Sequence, residues 1–244
     1  MAGRLLTSTF PEVLLALDTS TVRTSVALLV AGQPVAEAAA AVGVHTAECL
    51  LPTLDAVLCE AGVALEAVDA FAATLGPGSF TGLRIGLATV KGLALGTARP
   101  AVGISSLAAL AAAAPAGAGP VLATLDARRG ELYAAAFADA GARVADVLPE
   151  GLFTPEQLAG RFGACRVVGE GAGVCGEALT RVLPAAVFCE GDPWPHARDV
   201  ARLAWQALGA GEGSDPAALA PRYVRRAQAE VVRTGEPTEP GPAL

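Results

Sequence analysis

Three short apolar runs follow one another near the start of the chain. Val13–Asp18 (VLLALD) and Thr24–Val30 (TSVALLV) flank the polar turn Thr19–Arg23, and Ala31-Gly32 turns the chain again before Pro34–Ala40. Runs of this length, bounded by turn residues, predict a three-strand antiparallel meander. The period then changes. Leu50, Leu51, Leu54, Val57 and Leu58 recur at helical spacing after His45 and Thr46, which predicts an amphipathic helix. Pro52 falls too deep for a first-turn proline, so a kink or a start nearer Leu51 is expected.

Ala70–Leu75 (AFAATL) reads as a buried strand, Gly76-Pro77-Gly78 breaks it, and Ser79 or Thr81 caps the helix that follows. Such a corner aims free N–H groups and the positive dipole end of a helix at one spot, where an anion or an acidic partner could sit. A glycine corner made for close packing explains it equally well. The known phosphate-loop patterns fail. Gly82 is followed by Leu83-Arg84 where a Walker loop needs Lys-Ser/Thr, and Gly76, Gly78 and Gly82 stand at gaps foreign to the dinucleotide fingerprint. From Ala70 through Leu125 there is no Asp or Glu, so this stretch supplies no general base, carboxylate metal ligand or ribose acceptor.

The second helix carries Gly82, Gly86, Ala88, Gly92, Ala94 and Gly96 among Leu83, Leu87, Val90 and Leu93. Each interior Gly costs roughly 1 kcal/mol relative to Ala, which the close approach of another backbone must offset, inside the domain or across to a partner. Ala101–Ile104 predicts one more strand, and Ser105 or Ser106 caps an alanine helix ending near Pro115.

The pattern then repeats. LALDTS at Leu15–Ser20 is answered by ATLDAR at Ala123–Arg128, so Asp18 and Asp126 each end a strand, 108 residues apart. AGQPVAEA from Ala31 is answered by AGARVADV from Ala140. Self-similarity at this distance predicts a duplicated lobe, not a solenoid. In the second copy Leu132–Ala138 and Arg166–Gly169 read as strands, and Pro155 opens a short helix after Thr154. GEGAGVCGEAL (Gly169–Leu179) echoes the loop-helix corner, and Ala197–Leu208 reads as helix. Arg222, Arg225, Arg226 and Arg233 cluster near the end, with solvation as the default reading, and the Pro- and Gly-rich residues 234–244 are expected to be disordered.

Composition narrows the field. A chain of 244 residues that is 53% hydrophobic is large enough for two compact lobes. A net charge of −7 opposes gripping nucleic acid unaided. Five cysteines, odd in number and never spaced C-x-x-C, fit reduced thiols in a cytoplasm. Glu12 and Asp18 interrupt the N-terminal apolar run too early for a signal peptide. Pro100–Leu125 is uncharged, but its prolines and alanines argue against a membrane span.

The chemistry is sparse. Only His45 and His196 are present, and neither H-E-x-x-H nor a histidine pair at i, i+4 occurs, so no metal site is expected. Ser79 lacks the G-x-S-x-G setting of a nucleophile. An acid–base carboxylate pair could come only from Asp18 and Asp126 across the lobes, the kinase-like arrangement and the main argument for phosphoryl transfer. An Asp that merely caps a turn is the commoner case.

LALDTSTVRTSVALL, HTAECLLPTL, LGPGSFTGLRIGLATVKGLALG, LDARRGELYAA and PRYVRRAQAE, in that order, resemble the bacterial TsaB (YeaZ) family. The resemblance implies an α/β fold of two actin-like lobes, of the ATPase and sugar-kinase type, from a duplicated βββαβα unit. The lobes are expected over residues 1–106, which carry the partner-binding helices, and 107–233. It further implies a non-catalytic scaffold subunit in the synthesis of N6-threonylcarbamoyladenosine at position 37 of ANN-decoding tRNAs. Such a subunit pairs with and activates TsaD, is joined by TsaE, dimerises with itself when TsaD is absent, and meets tRNA only through the complex. No cofactor is expected. The family's dimer contact maps onto Thr46–Glu60 and Thr81–Leu95, which makes Leu50, Leu54, Leu58, Gly82, Leu83, Gly86, Leu87 and Val90 the expected partner-facing residues. On that reading Gly86→Leu should weaken assembly and leave the fold intact. Asp18, Thr19, Gly76, Gly78 and Asp126 mark a vestigial nucleotide site. An ATPase or phosphotransferase of the same fold is the competing reading, and a glycoprotease-type peptidase trails it.

Overall fold

The computed structural model describes residues 10–138, 148–212 and 215–225. Strands β1 (Val13–Asp18), β2 (Ser25–Val30) and β3 (Gln33–Ala39) form the antiparallel meander, and β4 (Ala70–Gly76) adds parallel to β1. With β5 (Ala101–Ser105) the sheet order is β3-β2-β1-β4-β5. β1 and β4 read as unbroken apolar runs because both their faces are covered. One face receives helices α1 (Thr46–Ala61) and α2 (Phe80–Thr97). Leu50, Leu54, Val57, Leu58, Leu87 and Val90 from these helices share a cluster with Leu15, Leu17, Val26, Leu28 and Phe71 of the sheet.

Pro52 lies inside α1, which starts at Thr46 and not near Leu51. The proline gives up a single hydrogen bond, to the Glu48 carbonyl, and the burial of four apolar side chains around it outweighs that loss.

The second sheet is a topological copy. After α3 (Ser106–Ala112), capped by the Ser105 hydroxyl accepting from the Ala108 N–H, come β6 (Val121–Asp126), β7 (Leu132–Phe137), β8 (Gly151–Phe153) and β9 (Cys165–Val168). Helices α4 (Glu170–Val174) and α5 (Gly176–Val182) lead to β10 (Ala186–Phe188). The order β8-β7-β6-β9-β10 repeats that of the first sheet, with β6 antiparallel to β7 and parallel to β9. The duplicated βββαβα unit inferred from Asp18 and Asp126 is thus present in the strands. The AGARVADV repeat lies outside the described residues, as do Arg226, Arg233 and residues 234–244. β8 and β10 are three half-exposed residues each, too short to leave a readable alternation.

The last helix, α6 (Ala197–Gly209), packs on β1 and β2, with Ala197, Ala201 and Ala204 buried. One compact unit therefore holds the chain up to Leu75, Thr81–Ile104 and His196–Ala220. The other holds Gly76–Phe80, Ser105–Pro195 and the chain from Pro221. A division at 106 places α6 in the second lobe, whereas its contacts place it in the first. Lys91 secures this return by donating to the Leu219 carbonyl at 2.9 Å. Among the described residues no helix is long and apolar enough to cross a membrane.

Within α2, packing inside the unit demands glycine at Gly86. A Cβ there would run into the Thr19 hydroxyl at the end of β1. Gly92 and Gly96 face open space. Gly86→Ala is expected to lower the melting temperature by roughly 3–10 °C, the size of a 1–3 kcal/mol overpacking penalty in a chain of this length. Calorimetry on the double mutant with Thr19→Ala checks the cause: most of the loss should be recovered, and simple additivity would show that Thr19 is not what excludes the side chain.

Candidate functional site

Asp18 closes β1 with a fully buried side chain. Its Oδ1 accepts from the Ser20 N–H (3.3 Å) and the Ser20 hydroxyl (2.7 Å), the geometry of an Asx turn. Its Oδ2 is buried and has no hydrogen-bond partner among the described residues, and neither has the Thr74 hydroxyl on β4. Thr74 lies close enough to ease the charge on the carboxylate without forming a hydrogen bond of ordinary geometry. Burial dominates, pushing the Asp18 carboxyl up to about 6 against the opposing pull of Ser20 and Thr74. Thr19 beside it is buried and meets α2 at Gly86.

Asp126 ends β6 in the same kind of turn. The Arg128 N–H donates to Oδ1 (2.7 Å), and the Arg128 guanidinium pairs with Oδ2 (2.9 Å). The Asp126 N–H in turn donates to Glu170 Oε1 (3.4 Å), while Glu170 Oε2 accepts from Trp194 Nε1 (3.1 Å). Asp18 belongs to the first unit and Asp126 to the second, and each is held by its own turn. The loop after β4 bends through Gly76 (φ 113°), a cis Gly76-Pro77 bond and Gly78 (φ 151°), backbone conformations that favour glycine.

His45 is exposed, whereas His196 is buried at the start of α6, with its Nδ1 3.4 Å from Glu37 Oε1. The Ala197 N–H beside it donates to the Ser25 hydroxyl at 3.0 Å. No group of three or more His, Cys, Asp or Glu among the described residues is placed to hold a metal ion. Ser20 and Thr74 escaped the reading of the sequence, since a hydroxyl at a strand end carries no periodic signal.

The expected partner-facing set needs correction. Leu50, Leu54, Leu58, Leu83, Leu87 and Val90 are each less than 10% exposed, and Gly82 and Gly86 are buried as well. Leu50, Leu54, Leu58, Leu87 and Val90 cover the chain's own sheet, and Gly86→Leu would disturb the fold before it reached any partner. The faces of α1 and α2 turned away from the sheet carry other residues. Leu51 is 59% exposed and Leu95 57%, and they stand with Pro52, Asp55, Arg84, Ala88, Gly92 and Gly96.

Comparison with known proteins adds four findings. The family described as TsaD, tRNA N6-adenosine threonylcarbamoyltransferase, matches residues 40–231. The tRNA threonylcarbamoyladenosine biosynthesis protein TsaB of Haemophilus influenzae is 46% identical over 122 residues, 49% of this chain and 51% of that protein. The chain spans about half the length of the curated relatives it matches first. Among solved structures, YeaZ from Pseudomonas aeruginosa is 38% identical with a TM-score of 0.74, over 87% of this chain and 99% of that one. The activator of the 2-hydroxyisocaproyl-CoA dehydratase from Clostridium difficile, with bound ADPNP, is 11% identical with a TM-score of 0.50 over 82% and 97%. It shares the fold alone.

The Asp18 environment makes stability depend on pH. A carboxyl that is harder to ionise in the folded than in the unfolded chain takes up protons on folding, so this group's contribution falls as pH rises from about 4 to about 6 and then levels off. The full penalty is on the order of 3 kcal/mol. Asp18→Asn should remove it: the melting-temperature difference between variant and wild type is expected to widen in the variant's favour from pH 4.5 to 7.5. A constant difference would show that the Asp18 carboxyl is ionised as easily as in the unfolded chain.

Proposed function

This chain belongs to the TsaB (YeaZ) family, and on that premise we propose that it is the non-catalytic pairing subunit of the cytoplasmic assembly that makes N6-threonylcarbamoyladenosine on tRNA. Its partner in this reading is TsaD, which shares the fold and carries the transfer chemistry. TsaE joins the pair, and a second copy of this chain takes TsaD's place when TsaD is missing. The observation that carries the reading is the outer surface of α1 and α2, where Leu51 and Leu95 remain uncovered by the described residues. Ala88, Gly92 and Gly96 keep that side of α2 flat, so another helix backbone can approach closely. Two proteins of like fold can bring equivalent helices together across such a contact.

The carboxylates support the division of labour. Asp126 is engaged by Arg128, and Asp18 is buried in its own turn, so neither is offered to a substrate as a free base. The net charge of −7 fits a subunit that does not grip tRNA across many phosphates unaided. One observation favours the second reading, an ATPase of the same fold: the unpaired Asp18 Oδ2 beside the Thr74 hydroxyl. ATP turnover by the protein alone, lost in Asp18→Asn, would establish it.

Gly92→Leu and Leu51→Glu are each expected to weaken association with TsaD at least tenfold by calorimetric titration, with the melting temperature held within about 2 °C because both positions are exposed. Reconstituted modification with TsaD, TsaE and the enzyme that makes the carbamoyl adenylate should require the wild-type protein. Undiminished association of both variants would refute the α1–α2 surface, and modification without the protein would refute the subunit role.

A further inference from the structure

A small cavity of about 110 Å³ in the second unit is lined by Pro77, Gly78, Phe80, Tyr133, Tyr223, Val224 and two arginines, Arg222 and Arg225. The Phe80 and Tyr223 rings lie 4.8 Å apart with their planes 31° from parallel. Arg225 is fastened by the Ala127 carbonyl at 2.7 Å and by the Glu131 carboxylate, which neutralises it. Its Nε–H is nevertheless buried without an acceptor among the described residues. Arg222 is exposed and pairs with no carboxylate among the described residues. Three aromatic rings, a buried donor lacking an acceptor and an exposed guanidinium make a site, where hydrophobic closure alone would need neither arginine.

Size and electrostatics choose the ligand. At about 110 Å³ the cavity is smaller than the ~150 Å³ that encloses a benzene ring, so it takes at most one ring, inserted from its open side, and not a ring and a phosphate together. A lining of three aromatic residues disfavours a phosphate and accepts a planar ring. We propose that the cavity seats the pyrimidine ring of one nucleotide, against Phe80 and Tyr223, with a base carbonyl accepting from Arg225 Nε and the phosphate outside on Arg222. The choice of a nucleotide over other aromatic anions rests on the tie to tRNA modification proposed above. A free mononucleotide and a nucleotide within single-stranded RNA share this chemistry.

The test uses the full chain at low salt and follows fluorescence anisotropy of a labelled hexauridylate, with uridine 5′-monophosphate as competitor. Arg222→Ala should weaken binding about tenfold and lower the salt dependence by roughly one phosphate contact, with Arg222→Lys restoring most of both. Tyr223→Leu should weaken it by a similar factor through lost stacking. Arg181→Ala, an exposed arginine away from the cavity, should change nothing. Competition at equal concentration identifies a free nucleotide as the ligand, and preference for the oligomer by more than tenfold identifies RNA. No saturable binding of either probe, or Arg222→Ala and Tyr223→Leu binding as wild type does, would overturn the proposal. Association with TsaD, measured on the same samples, separates that failure from a failure of the family reading.

Discussion

β1 is covered on both faces and buried to its last residue, and the first unit is organised to keep it so. Leu15 and Leu17 meet the helices on one side, while α6 lies along the strand on the other. A strand enclosed in this way must end in a turn that is enclosed too, and α2 descends onto that turn so closely that only glycine fits at position 86. The same enclosure strips Asp18 of water and leaves one of its oxygens unpaired. Packing, glycine placement and the perturbed acid are three results of one burial.

That acid works against stability, since desolvation of a carboxylate is only partly offset by Ser20. Its counterpart Asp126 sits in the same topological position and is relieved by Arg128. The two copies have thus resolved the same strand end differently. A local rule broken in one copy and kept in the other is where a site is sought, and Asp18 is the reason the ATPase reading retains a physical basis.

Much of the architecture was legible in the chain. The meander, the glycine break after β4 and the two Asp-terminated strands follow from runs, turns and spacing. The proposed partner surface was not, for a physical reason: helical periodicity marks which positions are buried but not what buries them. Leu50, Leu54 and Leu58 form the expected stripe, and the chain's own sheet consumes it. Leu51, out of phase with that stripe, becomes informative only once the stripe has been assigned. The aromatic cavity was hidden differently, because Phe80, Tyr133 and Tyr223 are far apart in sequence and only the fold collects them. β8 and β10 were too short for any pattern.

α6 comes from the far end of the chain yet forms one face of the first sheet. During synthesis the residues of β1 to β5 leave the ribosome first, and the helix that completes their cover must wait for all of Ser105–Pro195 to follow, a delay on the order of ten seconds. Through that interval the nascent sheet shows a bare apolar face. The strands of this unit are therefore made well before their cover, and the window in which a chaperone or a wrong neighbour could claim them is set by the translation rate.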